Sequence, residues 1–354
     1  MHQASEGRSV TLDSSARGST PSPTQPTPFL ETISVIITAW RRRQFLQEAL
    51  GSVRVGVGSP VELVVVSDFH NEGLEREVQS RQGKWVVSRE ERLGAMVADG
   101  IRTARGSIIA LLDDDDLFHP LRLVEVRRAF GENPDLGFFH NGHVNFRDGE
   151  SPVFPETLPL QKWFRIPPGR RTRLDCERIW TEGAGYNGSS TVFRRSLLEP
   201  SLDEIRDIRK GVPPYLFYRA WTSSAAIVVD SRPLTAVRVH PENTTPTQFQ
   251  GRRARFARLV SIAPDLSADA ETILALLGPG VWDIPLRQMA SMGEILSASR
   301  DSARPSRRLA GAALELLRRR RIWLPRWILV TLALVRLGSR RGARALFNWL
   351  TTPE

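Results

Sequence analysis

Residues 92–116 read RLGAMVADGIRTARGSIIALLDDDD, and this stretch carries the strongest indication of the fold. Its first half spaces apolar residues as an amphipathic helix does, which predicts a helix over 93–104. Its second half, SIIALL at 107–112, is a continuous apolar run typical of a strand buried on both faces. Four aspartates follow at once. The sequence therefore predicts a cluster of carboxylates where a buried strand ends.

The same alternation of short apolar runs and helical spacing extends to both sides of this stretch. Further strands are predicted at 32–38, 61–67, 84–87, 137–146, 189–193, 225–229 and 234–239. Further helices are predicted at 44–53, 120–130 and 215–223. Buried strands separated by helices indicate a parallel sheet covered on both faces. The predicted fold class is α/β: a Rossmann-like, mixed and mostly parallel sheet with helices on both faces.

Composition divides the chain into three regions. Residues 1–30 are rich in Ser, Thr, Gly and Pro, which predicts a disordered leader. Residues 31–250 are predicted to form the α/β domain, in two halves at 31–116 and 117–250. Strand patterns are absent after 250, so 251–354 is predicted to be a helical, Arg-rich C-terminal extension.

The distribution of charge excludes some classes of function. The chain of 354 residues has a formal net charge of +10, and residues 304–354 account for all of it with twelve Arg, no Lys and two Glu. A domain with balanced charge argues against nucleic-acid binding. The single cysteine, Cys176, excludes an intramolecular disulfide. With neither a signal peptide nor an apolar run long enough to span a membrane, we expect a cytoplasmic protein.

The four aspartates at 113–116 are the main candidates for chemistry. Adjacent carboxylates repel one another, and a divalent cation among them removes most of that cost. Oxygen ligands select a hard ion, so Mn²⁺ or Mg²⁺ is expected. The alternative is an acidic turn exposed to solvent.

Five blocks of sequence resemble glycosyltransferase family 2, whose members have the GT-A fold. The blocks occur in the family's order and are SVIITAWRR (Ser34–Arg42), VELVVVSD (Val61–Asp68), RLGAMVADGIRTARGSIIALLDDDDLFHPLRL (Arg92–Leu123), NGSSTVFRRSLL (Asn187–Leu198) and VRVHPENTT (Val237–Thr245). The acidic block resembles the family's DXD motif. The resemblance covers roughly 31–245 and implies a nucleotide-binding half at 31–116 and an acceptor half at 117–250.

The resemblance implies a metal-dependent, inverting transferase of hexosyltransferase type. Its donor would be a nucleotide-diphosphate sugar, and its acceptor a hydroxyl of a glycan or lipid-linked molecule in cell-surface polysaccharide or glycolipid synthesis. The residues that match the family's nucleotide site are Thr38, Trp40, Asp68, Arg92 and Asp113. Those that match its metal site are Asp113, Asp115 and His240, and those that match its acceptor loop are Gly188 and Ser189. For Trp40 and His240 the alternative is ordinary packing, and for Gly188 and Ser189 a plain turn.

The expected catalytic base is where this sequence departs from the family. The family usually has a Glu-Asp pair at the start of the helix predicted at 215–223, and here those positions are Val212 and Pro213. The nearest acids are in SLDEIRD, so Asp207 is the first candidate base and Glu204 the second. A catalytically degenerate, membrane-associated scaffold with the same fold is the alternative function.

The Arg-rich tail predicts a contact with lipid. Its apolar run Trp327–Val335 has nine residues, far short of the ~20 needed to span a bilayer. Flanking Trp and Arg residues suit an anionic membrane surface, so 304–354 is expected to be a peripheral anchor on the inner face of the membrane. The alternative is a helical cap packed on the domain.

Overall fold

The computed structural model describes residues 31–54, 60–155, 158, 163–169, 171–243, 252–277, 284–300, 306–317 and 326–351. The predicted leader at 1–30 lies outside the described residues. So do Arg318–Arg321 of the basic tail and the final Thr244 and Thr245 of the block VRVHPENTT.

The described residues form one mixed sheet of nine strands. The strands are β1 (Ile33–Ala39), β2 (Val61–Ser67), β3 (Lys84–Val87), β4 (Ile108–Asp113), β5 (Leu117–Phe118), β6 (Leu136–Arg147), β7 (Trp163–Ile166), β8 (Thr191–Arg194) and β9 (Ala226–Val239). Their order is β3-β2-β1-β4-β8-β6-β9-β5, and β7 also pairs with β9. The strands β3, β2, β1 and β4 are mutually parallel, as are β6 and β9, whereas the pairings of β5, β7 and β8 are antiparallel. The predicted α/β fold class with a mixed sheet is confirmed.

Helices cover the sheet on both faces. In the first part of the chain they are α1 (Leu46–Ser52), α2 (Glu72–Ser80), α3 (Leu93–Thr103), α4 (Arg122–Glu132), α5 (Arg173–Thr181), α6 (Arg195–Leu198), α7 (Leu202–Asp207) and α8 (Val212–Thr222). Alternate residues of β1 enter different cores: Ile36 packs with α3, α5 and α8, and Ile37 packs with α1, α2 and α4. Burial of both strand faces explains the continuous apolar runs in the sequence.

The remaining described helices form a bundle after the sheet. They are α9 (Arg252–Leu277), α10 (Ile284–Arg300), α11 (Ser306–Leu317), α12 (Arg326–Gly338) and α13 (Arg340–Thr351). The apolar side of α12, including Leu329 and Leu332, is buried in this bundle's own core. None of the helices in the described ranges has the length and apolar character that crossing a bilayer requires.

A buried carboxylate joins the helical bundle to the sheet domain. Asp269 on α9 is 3% exposed and accepts the backbone N–H groups of Arg209 at 2.9 Å, Lys210 at 2.8 Å and Gly211 at 2.7 Å. These three residues lead directly into α8. The first N–H groups of a helix lack partners within the helix and favour an anion. Asp269 accepts these N–H groups and thereby holds α9 against the turn before α8.

Three predicted boundaries differ from the structure. The strands predicted at 225–229 and 234–239 form one continuous strand, β9, which pairs with β6 through a shift of register near Gly142. The strand predicted at 189–193 begins at Thr191, after a 3₁₀ turn over Gly188–Ser190. Helix α8 begins at Val212, earlier than predicted, with proline in its first turn, where a missing N–H has no cost.

Candidate active site

Several predicted site residues meet at the carboxyl edge of the parallel strands. Strand register sets Thr38 of β1 opposite Asp113 of β4, and Ala39 opposite Ser67 of β2. The Thr38 Oγ1 atom lies 3.5 Å from Asp113 Oδ1. Asp68, one residue beyond β2, accepts the Arg41 N–H at 2.8 Å. Parallel strands bring their carboxyl ends to one edge, and this edge is where open α/β sheets bind ligands.

The acidic cluster is buried and dense. Asp113, Asp115 and Asp116 each offer a carboxylate oxygen, and these atoms lie within 4.8 Å of one another. Asp114, Asp115 and Asp116 are at most 6% exposed, and the Oδ2 atom of Asp114 has no hydrogen-bond partner. Oxygen donors at this spacing fit a hard divalent cation. The alternative of a solvent-exposed acidic turn is wrong, because these side chains are buried.

The four carboxyls do not ionise alike. Burial and repulsion from Asp115 raise the pKa of Asp113 to about 6, and the same two causes hold the pKa values of Asp114 and Asp116 well above their usual range. Burial also opposes ionisation of Asp115, but the hydrogen bond with His240 and the charge of Arg42 outweigh it and lower its pKa. Asp115 is therefore the carboxylate that the protein keeps charged.

His240 and Arg42 surround that carboxylate. The His240 Nε2 atom lies 2.9 Å from Asp115 Oδ2. The Arg42 guanidinium donates to the same oxygen at 2.5 Å and to Asp114 Oδ1 at 2.5 Å. Burial alone would lower the pKa of Arg42, but the neighbouring carboxylates, Asp115 first, raise it. The predicted association of His240 with Asp115 is thus present in the geometry.

Arg238 holds the backbone of the cluster in place. Its N–H donates to Asp116 Oδ1 at 3.0 Å, and its Nε–H donates to the carbonyl of Asp115 at 3.1 Å. The far side of the guanidinium pairs with Glu48 at 2.7 Å and lies over the ring of Phe45. Strand β9 therefore positions two of the four aspartates through one residue, Asp116 through its backbone N–H and Asp115 through its buried side chain.

The predicted acceptor loop lies against the cluster. Ser189 Oγ accepts the Asp113 N–H at 3.0 Å. A Cβ atom placed on Gly188 would lie 3.7 Å from Pro213 Cγ and 3.9 Å from Asp113 Oδ1. The position where a base is expected is thus close to the acidic cluster, and it is occupied by proline.

The two candidate bases lie on α7, in contact with other groups. The side chain of Asp207 is 72% exposed and pairs with Arg92 at 3.2 Å. Glu204 accepts a hydrogen bond from the hydroxyl of Tyr215 on α8. Within the described residues, no hydrogen bond or ion pair joins Asp207, Glu204 or Arg92 to the acidic cluster.

Trp40 lies at the edge of the same region. Its ring is half-buried, packs against the core on the α3 side of the sheet and has the Arg41 guanidinium 5.0 Å from its centroid. Part of the ring therefore packs in the core and part is accessible. Core packing and a place in the nucleotide site do not exclude each other for Trp40.

The sequence analysis assigned no role to Arg42 and Arg238, and it placed Asp116 in the acidic cluster without naming it a metal ligand. A usable signal existed for Arg42: three arginines follow β1 directly, and β1 neighbours the strand that carries the aspartates. Arg238 lies more than a hundred residues from the cluster in sequence, and only the pairing of β5 with β9 brings it there.

Comparison with known proteins identifies the domain. Residues 34–200 match the sequence model of the family described as Glycosyl transferase family 2. The match covers just under half of the chain, and this part is similar to family 2 glycosyltransferases. The resemblance noted in its sequence blocks is thereby confirmed.

Individual relatives are distant in sequence. An uncharacterized glycosyltransferase of Haemophilus influenzae is 27% identical over 111 residues, which is 31% of this chain and 38% of the relative. One of Nostoc sp. is 27% identical over 123 residues, 33% of this chain and again 38% of the relative. The chain thus matches under two fifths of the length of either relative. Among solved structures it is similar to S. aureus TarS, at 13% identity and a TM-score of 0.49, over 90% of this chain and 55% of TarS.

Proposed function

We propose that this protein is a metal-dependent, inverting glycosyltransferase. It would move a sugar, of hexose type, from a nucleotide-diphosphate donor to a hydroxyl of a glycan or lipid-linked acceptor. The observation that carries the proposal is the buried carboxylate cluster at the carboxyl end of β4, within the part of the chain that is similar to family 2. The direct test is release of a nucleoside diphosphate from a panel of nucleotide sugars with Mn²⁺. A folded protein that releases none, with or without candidate acceptors, contradicts it.

The metal site proposed here consists of Asp113, Asp115 and His240, with Asp116 as an additional ligand. The carboxylates lie close enough to share one ion, and His240 already approaches Asp115. Mn²⁺ and Mg²⁺ suit these ligands. When bound, the cation would stabilise the negative charge that the departing diphosphate gains.

The donor nucleotide is proposed to bind along the edge formed by β1 and β2. Asp68 would accept a hydrogen bond from the base, Trp40 would stack on it, and Thr38 would line the pocket next to Asp113. Stacking requires only an accessible aromatic face, which the half-buried Trp40 ring offers. Arg92, 43% exposed at the start of α3, is a cationic group for the diphosphate. Gly188 and Ser189 would face the acceptor.

The base is proposed to be Asp207, with Glu204 as the second candidate. A base must approach the acceptor hydroxyl within hydrogen-bond reach. Asp207 is exposed and, among the described residues, forms an ion pair with Arg92, so its carboxylate can reach a substrate. Glu204 instead accepts a hydrogen bond from Tyr215. Binding of the diphosphate by Arg92 would release Asp207.

Replacing the base is expected to reduce turnover with little effect on donor binding. We expect Asp207→Asn to lower kcat by about 10²-fold or more, while donor affinity stays within twofold. Asp203→Asn, an exposed acid on the same helix, is the matched control and should retain wild-type turnover. If Asp207→Asn turns over normally, Asp207 is not the base, and Glu204→Gln is tested in the same way.

A membrane contact is proposed for the C-terminal bundle. Leu334 and Leu337 on α12 and Trp349 on α13 are 61%, 42% and 58% exposed, whereas Leu329, Val330, Leu332 and Ala333 of α12 are buried. The exposed arginines of α13 are Arg340, Arg341 and Arg344. Apolar side chains beside arginines suit an anionic lipid surface, and such a contact would bring the active site to a lipid-linked acceptor.

Neutralising those arginines tests the membrane contact. Each basic residue near an anionic surface contributes about 1 kcal/mol, so changing all three to Gln should weaken co-sedimentation with anionic vesicles about 100-fold. The matched control changes Arg76, Arg102 and Arg105, exposed residues of the sheet domain, to Gln and should bind vesicles normally. Equal binding by both variants, or no binding by the unaltered protein, contradicts the contact.

A non-catalytic scaffold is the second candidate function, and the observation that favours it is Pro213 at the expected position of the base. A scaffold would retain the fold and the vesicle binding but release no nucleoside diphosphate from any donor. The donor panel therefore separates the two functions.

A further inference from the structure

Arg42 reaches into the acidic cluster from the loop after β1. Its side chain is 16% exposed. One guanidinium nitrogen lies 2.5 Å from Asp115 Oδ2 and the other 2.5 Å from Asp114 Oδ1, so the planar fork spans two carboxylates. This geometry is that of a strong, charge-assisted pair.

The guanidinium nitrogen that donates to Asp115 also lies close to His240. It lies 3.0 Å from His240 Nε2, and that nitrogen lies 2.9 Å from the same Asp115 oxygen. Arg42 therefore contacts both Asp115 and His240, two of the groups that would hold the proposed cation. Two groups, Arg42 and His240, thus converge on one oxygen of Asp115.

An arginine and a divalent cation cannot both be held closely by that oxygen. Guanidinium does not lose its proton in a protein, so its positive charge cannot be removed when the metal enters. Two cations a few ångströms apart repel strongly at a buried site, where solvent screening is weak. The oxygen that accepts from Arg42, Asp115 Oδ2, is also the one that His240 Nε2 approaches.

We propose that Arg42 is a built-in counter-cation of the acidic cluster, which competes with the divalent cation for Asp115 and leaves the cluster when the metal binds. This inference rests on the metal site of the proposed function. The donor's diphosphate offers the displaced guanidinium a new anionic partner, because arginine binds phosphate bidentately. Metal and donor would then bind more tightly together than the metal does alone.

Removing the competitor is expected to strengthen binding of the metal by itself. We expect Arg42→Gln to bind Mn²⁺, titrated without nucleotide and followed by electron paramagnetic resonance, at least about tenfold more tightly than the unaltered protein. Arg43→Gln is the matched control. It removes the same charge from the adjacent position, where the exposed side chain lies over Phe69, and should leave Mn²⁺ affinity unchanged.

Arg42→Lys provides a second measurement in case the glutamine variant does not fold. Lysine keeps the charge but cannot span both carboxylates as the guanidinium does, so its Mn²⁺ affinity should lie between those of the unaltered protein and Arg42→Gln. Circular dichroism establishes that each variant is folded. An affinity equal to or weaker than that of the unaltered protein, in either folded variant, overturns the competition. Release of nucleoside diphosphate by the unaltered protein is measured separately, so the proposed function can stand while this inference fails.

Discussion

Replacing Asp115 with asparagine is expected to lower donor turnover by at least about 10³-fold. Asp115 is the one carboxylate of the cluster whose pKa is lowered, because His240 and Arg42 outweigh the effect of its burial. Asparagine has the same shape but no charge, so the variant loses a charged ligand for the cation that would stabilise the leaving diphosphate. The measurement is release of nucleoside diphosphate from the donor that the unaltered protein uses.

The control for this experiment is an acid that lies near the cluster but outside it. Asp148 pairs with the outer side of Arg238, has a half-exposed side chain and contacts none of the four aspartates. Asp148→Asn should therefore keep turnover within a few-fold of normal. Turnover of Asp115→Asn within tenfold of normal, in folded protein, would remove Asp115 from the active site.

Replacing Asp269 with alanine is expected to cause the largest loss of stability. The substitution leaves the N–H groups of Arg209, Lys210 and Gly211 without their acceptor, and that of Gly211 is buried. Unpaired buried donors cost about 1–3 kcal/mol each, and we expect the free energy of unfolding to fall by roughly 3 kcal/mol or more. Chemical denaturation followed by circular dichroism measures the change.

The matched control lies one turn earlier on the same helix. Asp265 pairs with the Arg209 side chain at 3.2 Å, and the two side chains are 32% and 55% exposed. Exposed ion pairs contribute about 1 kcal/mol or less, so Asp265→Ala should have a small effect. Equal losses in the two variants would show that Asp269 does not anchor α9 to the sheet domain.

The sequence predicted the parallel part of the sheet and the position of the carboxylates well. The strands β1, β2 and β4 are buried on both faces, so their apolar runs are continuous and easily recognised. Asp113 follows β4 directly, and parallel pairing alone places it beside Thr38 at the end of β1. Local pattern and topology together were sufficient for this half of the site.

The other half depends on contacts between distant parts of the chain. Arg238 reaches Asp116 because β9 returns alongside β5, and its sequence context gives no sign of that pairing. The short strand β7 lies in a stretch rich in Pro and Arg that predicts a loop, and its pairing with β9 stabilises it. In the sequence, nothing distinguishes Asp269 from other polar residues of a helix, although it accepts three N–H groups of the turn before α8. Tertiary contacts determine each of these features.

The central claim is that the carboxylate cluster binds a nucleotide through a divalent cation. Calorimetric titration of UDP, GDP, dTDP and CMP into the purified protein, with and without Mn²⁺, tests it most directly, with Asp115→Asn measured alongside. We expect that one nucleotide binds, that its binding requires Mn²⁺, and that the variant loses this binding. Folded protein that binds none of the four nucleotides in Mn²⁺, or that binds one equally well without the metal and in the variant, would contradict the account.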